Sequence, residues 1–218
     1  MEKNEKLIQF EKFYIDNPYD FSEEEFEKIR EDIESPRKGV VYDEYVDFNL
    51  WTKGLKSRHN YFVDYVENKF PLHNYKKILE VGCGRTARVS RILSEKGYIM
   101  TAMDSKISID KVMSNFIFVR AKFDVNKTDI SKFDAIIAQE PCEATEHIVR
   151  ACVAEKKDFI ISLCGTPHRL ISGEEPASLN EWYDYLERIG GDNCFITNSK
   201  MVPGYFCPVM RGIFGKVI

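Results

Sequence analysis

The sequence has no long hydrophobic run, no large excess of one charge and no closely paired cysteines, and each lack removes a class of function. None of its apolar stretches approaches the roughly 20 residues that a membrane-spanning helix needs. The first ten residues, MEKNEKLIQF, contain no apolar signal core. A cytoplasmic location without a membrane partner is therefore expected. Lys and Arg number 31 against 35 Asp and Glu, a formal net charge of -4. That balance provides no general attraction to nucleic acid and so no strong nucleic-acid signal; such a partner would need a local basic patch. The six cysteines, Cys83, Cys142, Cys152, Cys164, Cys194 and Cys207, include no CxxC pair, which is the usage of a reducing compartment rather than a disulfide framework.

What is present is ordinary for a folded protein, with 44% hydrophobic and 30% charged residues. A chain of 218 residues accommodates one α/β domain with an extension. The boundary is expected near residue 55, with a helical extension over 1–55 and the main domain over 56–218. Residues 1–38 are acidic and helix-prone. Leu7, Phe10 and Tyr14 share one helical face, and Phe26, Ile29 and Ile33 share another. Asn17-Pro18 separates the two helices, Ser22 and Glu25 form a capping-box pair, and Pro36 ends the second. Tyr42, Tyr45 and Trp51 are candidates for a lid, although aromatics so spaced are more often core. Phe62, Tyr65, Val66 and Phe70 fit a helix running up to Pro71.

The stretch from Lys77 to Asp104 organises the rest. Ile78, Leu79 and Val81 make a short apolar strand, and Gly82 and Gly84 break it. A helix is expected from about Thr86, with Val89, Ile92 and Leu93 at helical spacing. Tyr98 to Met103 then reads as a second strand that stops at Asp104. Glycines let the backbone approach a ligand, a helix start offers free N–H groups, and a carboxylate about twenty residues on can accept both hydroxyls of a ribose. NAD and S-adenosylmethionine sites share this geometry. Further strands are expected at Phe116–Arg120, Phe133–Ala138 and Phe159–Leu163, with helices at Ala144–Ala154 and Leu179–Ile189. A closing hairpin around Pro203-Gly204 completes the pattern. Such alternation predicts an α/β fold: a mostly parallel sheet of seven strands with helices on both faces and a C-terminal hairpin.

The run Glu80-Val81-Gly82-Cys83-Gly84, with Asp104 beyond it, resembles motif I and the acidic end of motif II in the class I S-adenosylmethionine-dependent methyltransferases. The resemblance covers about residues 56–218 and implies a Rossmann-like methyltransferase domain with S-adenosylmethionine as cofactor. It implies Glu80 toward the methionine amino group, Gly82 and Gly84 along the methionine part, and Asp104 on the ribose. Asp124 would face the adenine amine, Gln139 and Glu140 would stand next to the transferred methyl, and Cys83 packs within the turn. The cofactor set is thus Glu80, Gly82, Cys83, Gly84, Asp104, Asp124 and Gln139. Thr86 departs from the pattern, standing where many members have a third glycine.

On the acceptor side, Glu140 and His168 are the catalytic candidates. His168 titrates in a range suited to proton removal, and Tyr205 is a candidate wall of the acceptor pocket. Glu140-Pro141-Cys142 is loosely similar to the acidic or amide motif of amino-group methyltransferases, but lacks its second proline and aromatic. No target atom follows from it, and the acceptor, small molecule or macromolecule, stays unidentified. Cys142, Cys164 and His168 fall on neighbouring strand ends, yet three ligands without paired spacing lead to an expectation of no metal and of buried, apolar cysteines. Two alternatives remain: a non-catalytic module that binds S-adenosylmethionine, and an NAD(P)-dependent oxidoreductase.

Overall fold

The structure, a computed structural model, describes residues 3–16, 23–34, 43–108 and 114–215. The chain divides into two compact units, residues 1–61 and 62–218. Among the described residues no helix is long and apolar enough to cross a membrane.

The first unit holds α1 (Lys3–Asp16), α2 (Glu23–Glu34) and α3 (Asp43–Trp51). Its core is aromatic: the Phe10 ring stacks on Phe26 at 5.3 Å and meets Phe48 edge-on at 5.2 Å. Leu7, Tyr14, Ile29 and Ile33 complete this cluster, so both expected helical faces are the buried ones. Trp51 lies 5.7 Å from Phe13, ring to ring, as a core aromatic. Ser22, Asn17-Pro18, Pro36 and Tyr42, and the Tyr45 side chain, lie outside the described residues. Helix α4 (Arg58–Lys69) begins in this unit, where the Asp47 carboxylate accepts from the Arg58 amide at 2.7 Å.

In the second unit, seven strands form one sheet: β1 (Lys77–Val81), β2 (Ile99–Met103), β3 (Phe116–Val119), β4 (Ala135–Gln139), β5 (Asp158–Ser162), β6 (Cys194–Ser199) and β7 (Cys207–Gly212). Their spatial order is β3-β2-β1-β4-β5-β7-β6, with the first five parallel and β7 antiparallel to both neighbours. Helices α5 (Arg88–Glu95), α6 (Ala144–Glu155) and α7 (Leu179–Gly190) follow β1, β4 and β5.

The two-residue period of a strand sorts the core into two layers. Ile78, Met100, Ala102, Ile137 and Ile160 pack with Val66 of α4 and with Val89 and Leu93 of α5. Leu79, Val81, Ile136, Ala138, Phe159 and Ile161 pack with Ile148 and Val149 of α6 and with Trp182 and Leu186 of α7. Both faces being covered, the central strands read as unbroken apolar runs. Strand order reverses between β1 and β4, so the loops leaving these two strands diverge and open a crevice at their carboxyl ends.

Candidate functional site

The crevice is framed by the glycine turn after β1. Gly82 and Gly84 sit at φ of 70° and 69°, in the left-handed region that costs glycine nothing. The Gly82 amide donates to the Met103 carbonyl at 2.9 Å, tying the turn to the end of β2. A side chain at Gly82 would place its Cβ 2.9 Å from Pro141, so the loop after β4 lies directly against this turn.

Helix α5 starts at Arg88, two residues later than Thr86, because Ala87 at its cap takes a left-handed φ of 45°. The amide of Ser90, in its first turn, is not left to a ligand. Glu80, buried at the end of β1, accepts from the Ser90 amide at 2.8 Å, so a carboxylate of the protein occupies the anion position at this helix start. Burial pushes the Glu80 carboxyl up to about 7; the hydrogen bonds from Ser90 oppose that rise and the negative charge of Asp104 adds to it. The half-buried Cys83 thiol is also pushed up, by burial and then by Glu80 and Asp104, which keeps it a neutral packing group.

Asp104 closes the turn from the β2 side. One carboxylate oxygen accepts from the Gly84 amide at 3.0 Å and the other from the Lys106 amide at 2.7 Å. Each oxygen retains a second lone pair, so the carboxylate is oriented but still able to accept from a ligand. Asp124, in the loop after β3, accepts from the Asn126 amide at 2.9 Å. That bond, aided by the charge of Lys127, holds its carboxyl below the usual range.

At the end of β4, Gln139 pairs with Ser162 of β5, and the Glu140 amide donates to the Ser162 carbonyl at 2.8 Å. Glu140 and Cys142, on either side of Pro141, both have a φ of 51°. Non-glycine residues rarely adopt this conformation, and it tends to cluster at functional sites. Cys142 is exposed, contrary to the expectation of a buried apolar cysteine, whereas Cys164 is buried. Their sulfurs are 3.5 Å apart. His168 is half-buried, its ring set edge-on to Trp182 at 6.4 Å between centroids. The structure thus brings Glu140, Cys142, Cys164 and His168 to adjoining strand ends. Tyr205 sits half-buried between β6 and β7, its amide donating to the Val202 carbonyl.

Two contributors on α6 have no counterpart in the sequence reading. Buried Glu146 accepts from the Ile171 amide at 2.7 Å, from Arg150 at 2.8 Å and from the Tyr185 hydroxyl, and so fastens the loop that carries His168. His147 accepts from the Val125 amide at 3.2 Å and steadies the turn beside Asp124. Their signal was the charged pair in EATEHI on a helix that otherwise faces the core. A cleft of about 1000 Å³ lined by Leu170, Glu174, Glu181, Asp184, Tyr185 and Arg188 borders the same loop. None of the glycine-turn residues lines it.

No family model and no curated protein matches the sequence. Solved structures match in shape. A chain of the complex between the Haloferax volcanii Trm112 methyltransferase activator and its methyltransferase is 12% identical, with 79% of this chain and 97% of that chain covered at a TM-score of 0.53. PigF, solved with SAH, is 14% identical over 79% of this chain, with a TM-score of 0.48. The bifunctional kinase-methyltransferase WbdD is 11% identical over 74% of this chain, with a TM-score of 0.46. The chain spans 59% of the PigF chain and 40% of the WbdD chain. At these identities the likeness concerns the fold, and the Haloferax complex carries it together with the strand order. The chain has a Rossmann-like methyltransferase fold.

Proposed function

We propose that the protein is a methyltransferase that takes its methyl group from S-adenosylmethionine and passes it to an acceptor held at the ends of β4 and β5. The observation that carries this reading is Glu80 on the Ser90 amide. A dinucleotide pyrophosphate would need those helix N–H groups and would meet a buried carboxylate instead. A cationic ligand gains from the same group and from Asp104 beside it. Glu80, Gly82, Cys83, Gly84, Asp104, Asp124 and Gln139 hold the cofactor: the glycines admit close approach, and Asp104 accepts from the ribose hydroxyls.

When bound, the sulfonium supplies an activated methyl group with a neutral thioether as leaving group. The protein's own part is orientation, exclusion of water and removal of one proton from the acceptor. Glu140 and His168 stand at the strand ends where that proton would be taken. The acceptor is a small molecule or a macromolecule.

Calorimetry with S-adenosylhomocysteine and NADH side by side tests the reading. Binding of S-adenosylhomocysteine alone is expected, and binding of NADH alone would overturn it. Asp104→Ala is expected to weaken S-adenosylhomocysteine by roughly ten- to a hundredfold, the worth of hydrogen bonds to a charged group. An unchanged affinity would remove Asp104 from the ribose site.

A further inference from the structure

We propose that Cys142, Cys164 and His168 form a binding site for a zinc-class divalent cation at the carboxyl ends of β4 and β5. One donor atom from each residue, two sulfurs and a ring nitrogen, lies within 4.8 Å of the other two. A tetrahedral zinc with bonds to sulfur of about 2.3 Å sets its two sulfurs about 3.8 Å apart. Here they stand 3.5 Å apart, so the sulfur pair needs only a few tenths of an ångström of opening, while the ring nitrogen closes from within 4.8 Å to about 3.6 Å. Two thiols and an imidazole form a soft donor set that selects zinc-class cations over magnesium or calcium.

The three residues are held by backbone rather than left on loose ends. Cys142 owes its direction to the left-handed conformation after Pro141, and its carbonyl accepts from the Thr145 hydroxyl at 2.8 Å and the Thr145 amide at 3.1 Å. The Cys164 carbonyl accepts from the Tyr183 hydroxyl at 3.3 Å. His168 packs against Trp182, and Glu146 fastens its loop through the Ile171 amide. The buried His168 Nε2 makes no hydrogen bond among the described residues, an orphaned polar atom in a site otherwise built to hold it. Three protein ligands leave a fourth position, the pattern of a zinc that also takes an exogenous ligand. A role for that position in holding a methyl acceptor rests on the methyltransferase reading, with Glu140 then taking the proton because a metal-bound His168 does not. The metal site itself does not rest on that reading, so the two are tested apart.

The test uses the full chain, purified under a non-thiol reductant, stripped with chelator and kept free of S-adenosylmethionine. Zinc is titrated against a chromophoric chelator, and cobalt is used as the spectroscopic probe. One zinc per chain is expected, with a thiolate-to-cobalt charge-transfer band and intense tetrahedral ligand-field bands. Cys142→Ser, Cys164→Ser and His168→Gln should each weaken zinc by roughly tenfold or more, at least the loss that follows mutation of an outer-shell partner. Cys194→Ser should bind as the parent does. Cys142 is exposed, so Cys142→Ser keeps the fold and decides the matter if the buried Cys164→Ser does not fold, with circular dichroism checking both. Zinc well below one per chain, a cobalt spectrum without the charge-transfer band, unweakened binding in Cys142→Ser, or a Cys142–Cys164 disulfide in the reduced preparation would each overturn the proposal.

Discussion

Replacing Gly82 by alanine separates two costs that a neighbouring glycine keeps apart. Gly82 and Gly84 have nearly the same left-handed φ, 70° and 69°, so an alanine at either position incurs about 1–2 kcal/mol of backbone strain. At Gly84 the new Cβ meets nothing within 4 Å, and the strain is the whole effect on folding. At Gly82 it would stand 2.9 Å from both Cα and Cβ of Pro141, well inside the roughly 3.5–4.0 Å of a carbon contact. Pro141 has little room to yield, because it lies between two residues already held at φ of 51°. Overpacking of that kind adds about 1–3 kcal/mol. Gly82→Ala should therefore cost about 2–5 kcal/mol and Gly84→Ala about 1–2. Urea unfolding followed by fluorescence measures the difference. Trp182 is buried in the second unit, and Trp51→Phe silences the other of the two tryptophans, which lies in the first. Equal losses at the two positions, or a larger loss at Gly84, would refute the contact between the glycine turn and the β4 loop.

Glu146→Gln removes the charge that gathers Ile171, Arg150 and Tyr185, and should cost about 1.5–3 kcal/mol in urea unfolding at neutral pH. Burial acts to raise the Glu146 carboxyl, but the bonds from Tyr185, Ile171 and Arg150 outweigh it and leave it lowered. Its stabilisation is therefore present above the unfolded value and lost as pH falls through the folded one. Melting temperatures taken from neutral pH to about pH 3 should show a shallower acid decline in the variant. Tyr75→Phe deletes the hydroxyl that donates to Asp158 at 2.5 Å, while the Phe214 and Gly215 amides still serve the other Asp158 oxygen. A loss of about 1.5–3 kcal/mol is expected in the same unfolding assay, since the bond is to a carboxylate.

The fold was legible where a residue's local pattern and its global place agree. Ile78 and Leu79 belong to opposite core layers, yet both are buried, so β1 reads as one apolar run whichever face is considered. Gly82, Gly84 and Asp104 were visible because turn chemistry is local and the carboxylate ends the next strand. The start of α5 was misread because nothing about alanine at 87 announces a left-handed φ; the surrounding turn imposes it. Glu146 carried no signal of its role, since its three donors come from a loop, from α7 and from its own helix. The meeting of Cys142 and Cys164 follows from the pairing of β4 with β5, which aligns Gln139 with Ser162 and carries both loops to one place. The expected strand order already set the two on neighbouring strand ends; the 3.5 Å approach of their sulfurs is what spacing along the chain does not encode.

Glu80 joins fold and proposed chemistry in a way that pH can read. Its carboxyl rises from 4.5 to about 7 because burial disfavours the charge. A carboxyl raised in the folded state stabilises fully below its unfolded value, and that contribution is lost as pH climbs through about 7. The difference amounts to about 3 kcal/mol across the window. Glu80→Gln should flatten this part of the stability curve. A cation bound beside Glu80 favours the ionised form and draws the carboxyl back down, so uptake of S-adenosylmethionine near pH 7 should release a fraction of a proton. Binding should then tighten as pH rises through neutrality. Calorimetry in buffers of different ionisation enthalpy counts that proton directly. Heats that do not depend on the buffer, or the same proton release in Glu80→Gln, would show that the buried carboxylate caps α5 and does nothing for the ligand. Protons released by the parent and not by the variant would tie the residue that completes the helix start to the charge of the molecule in the crevice.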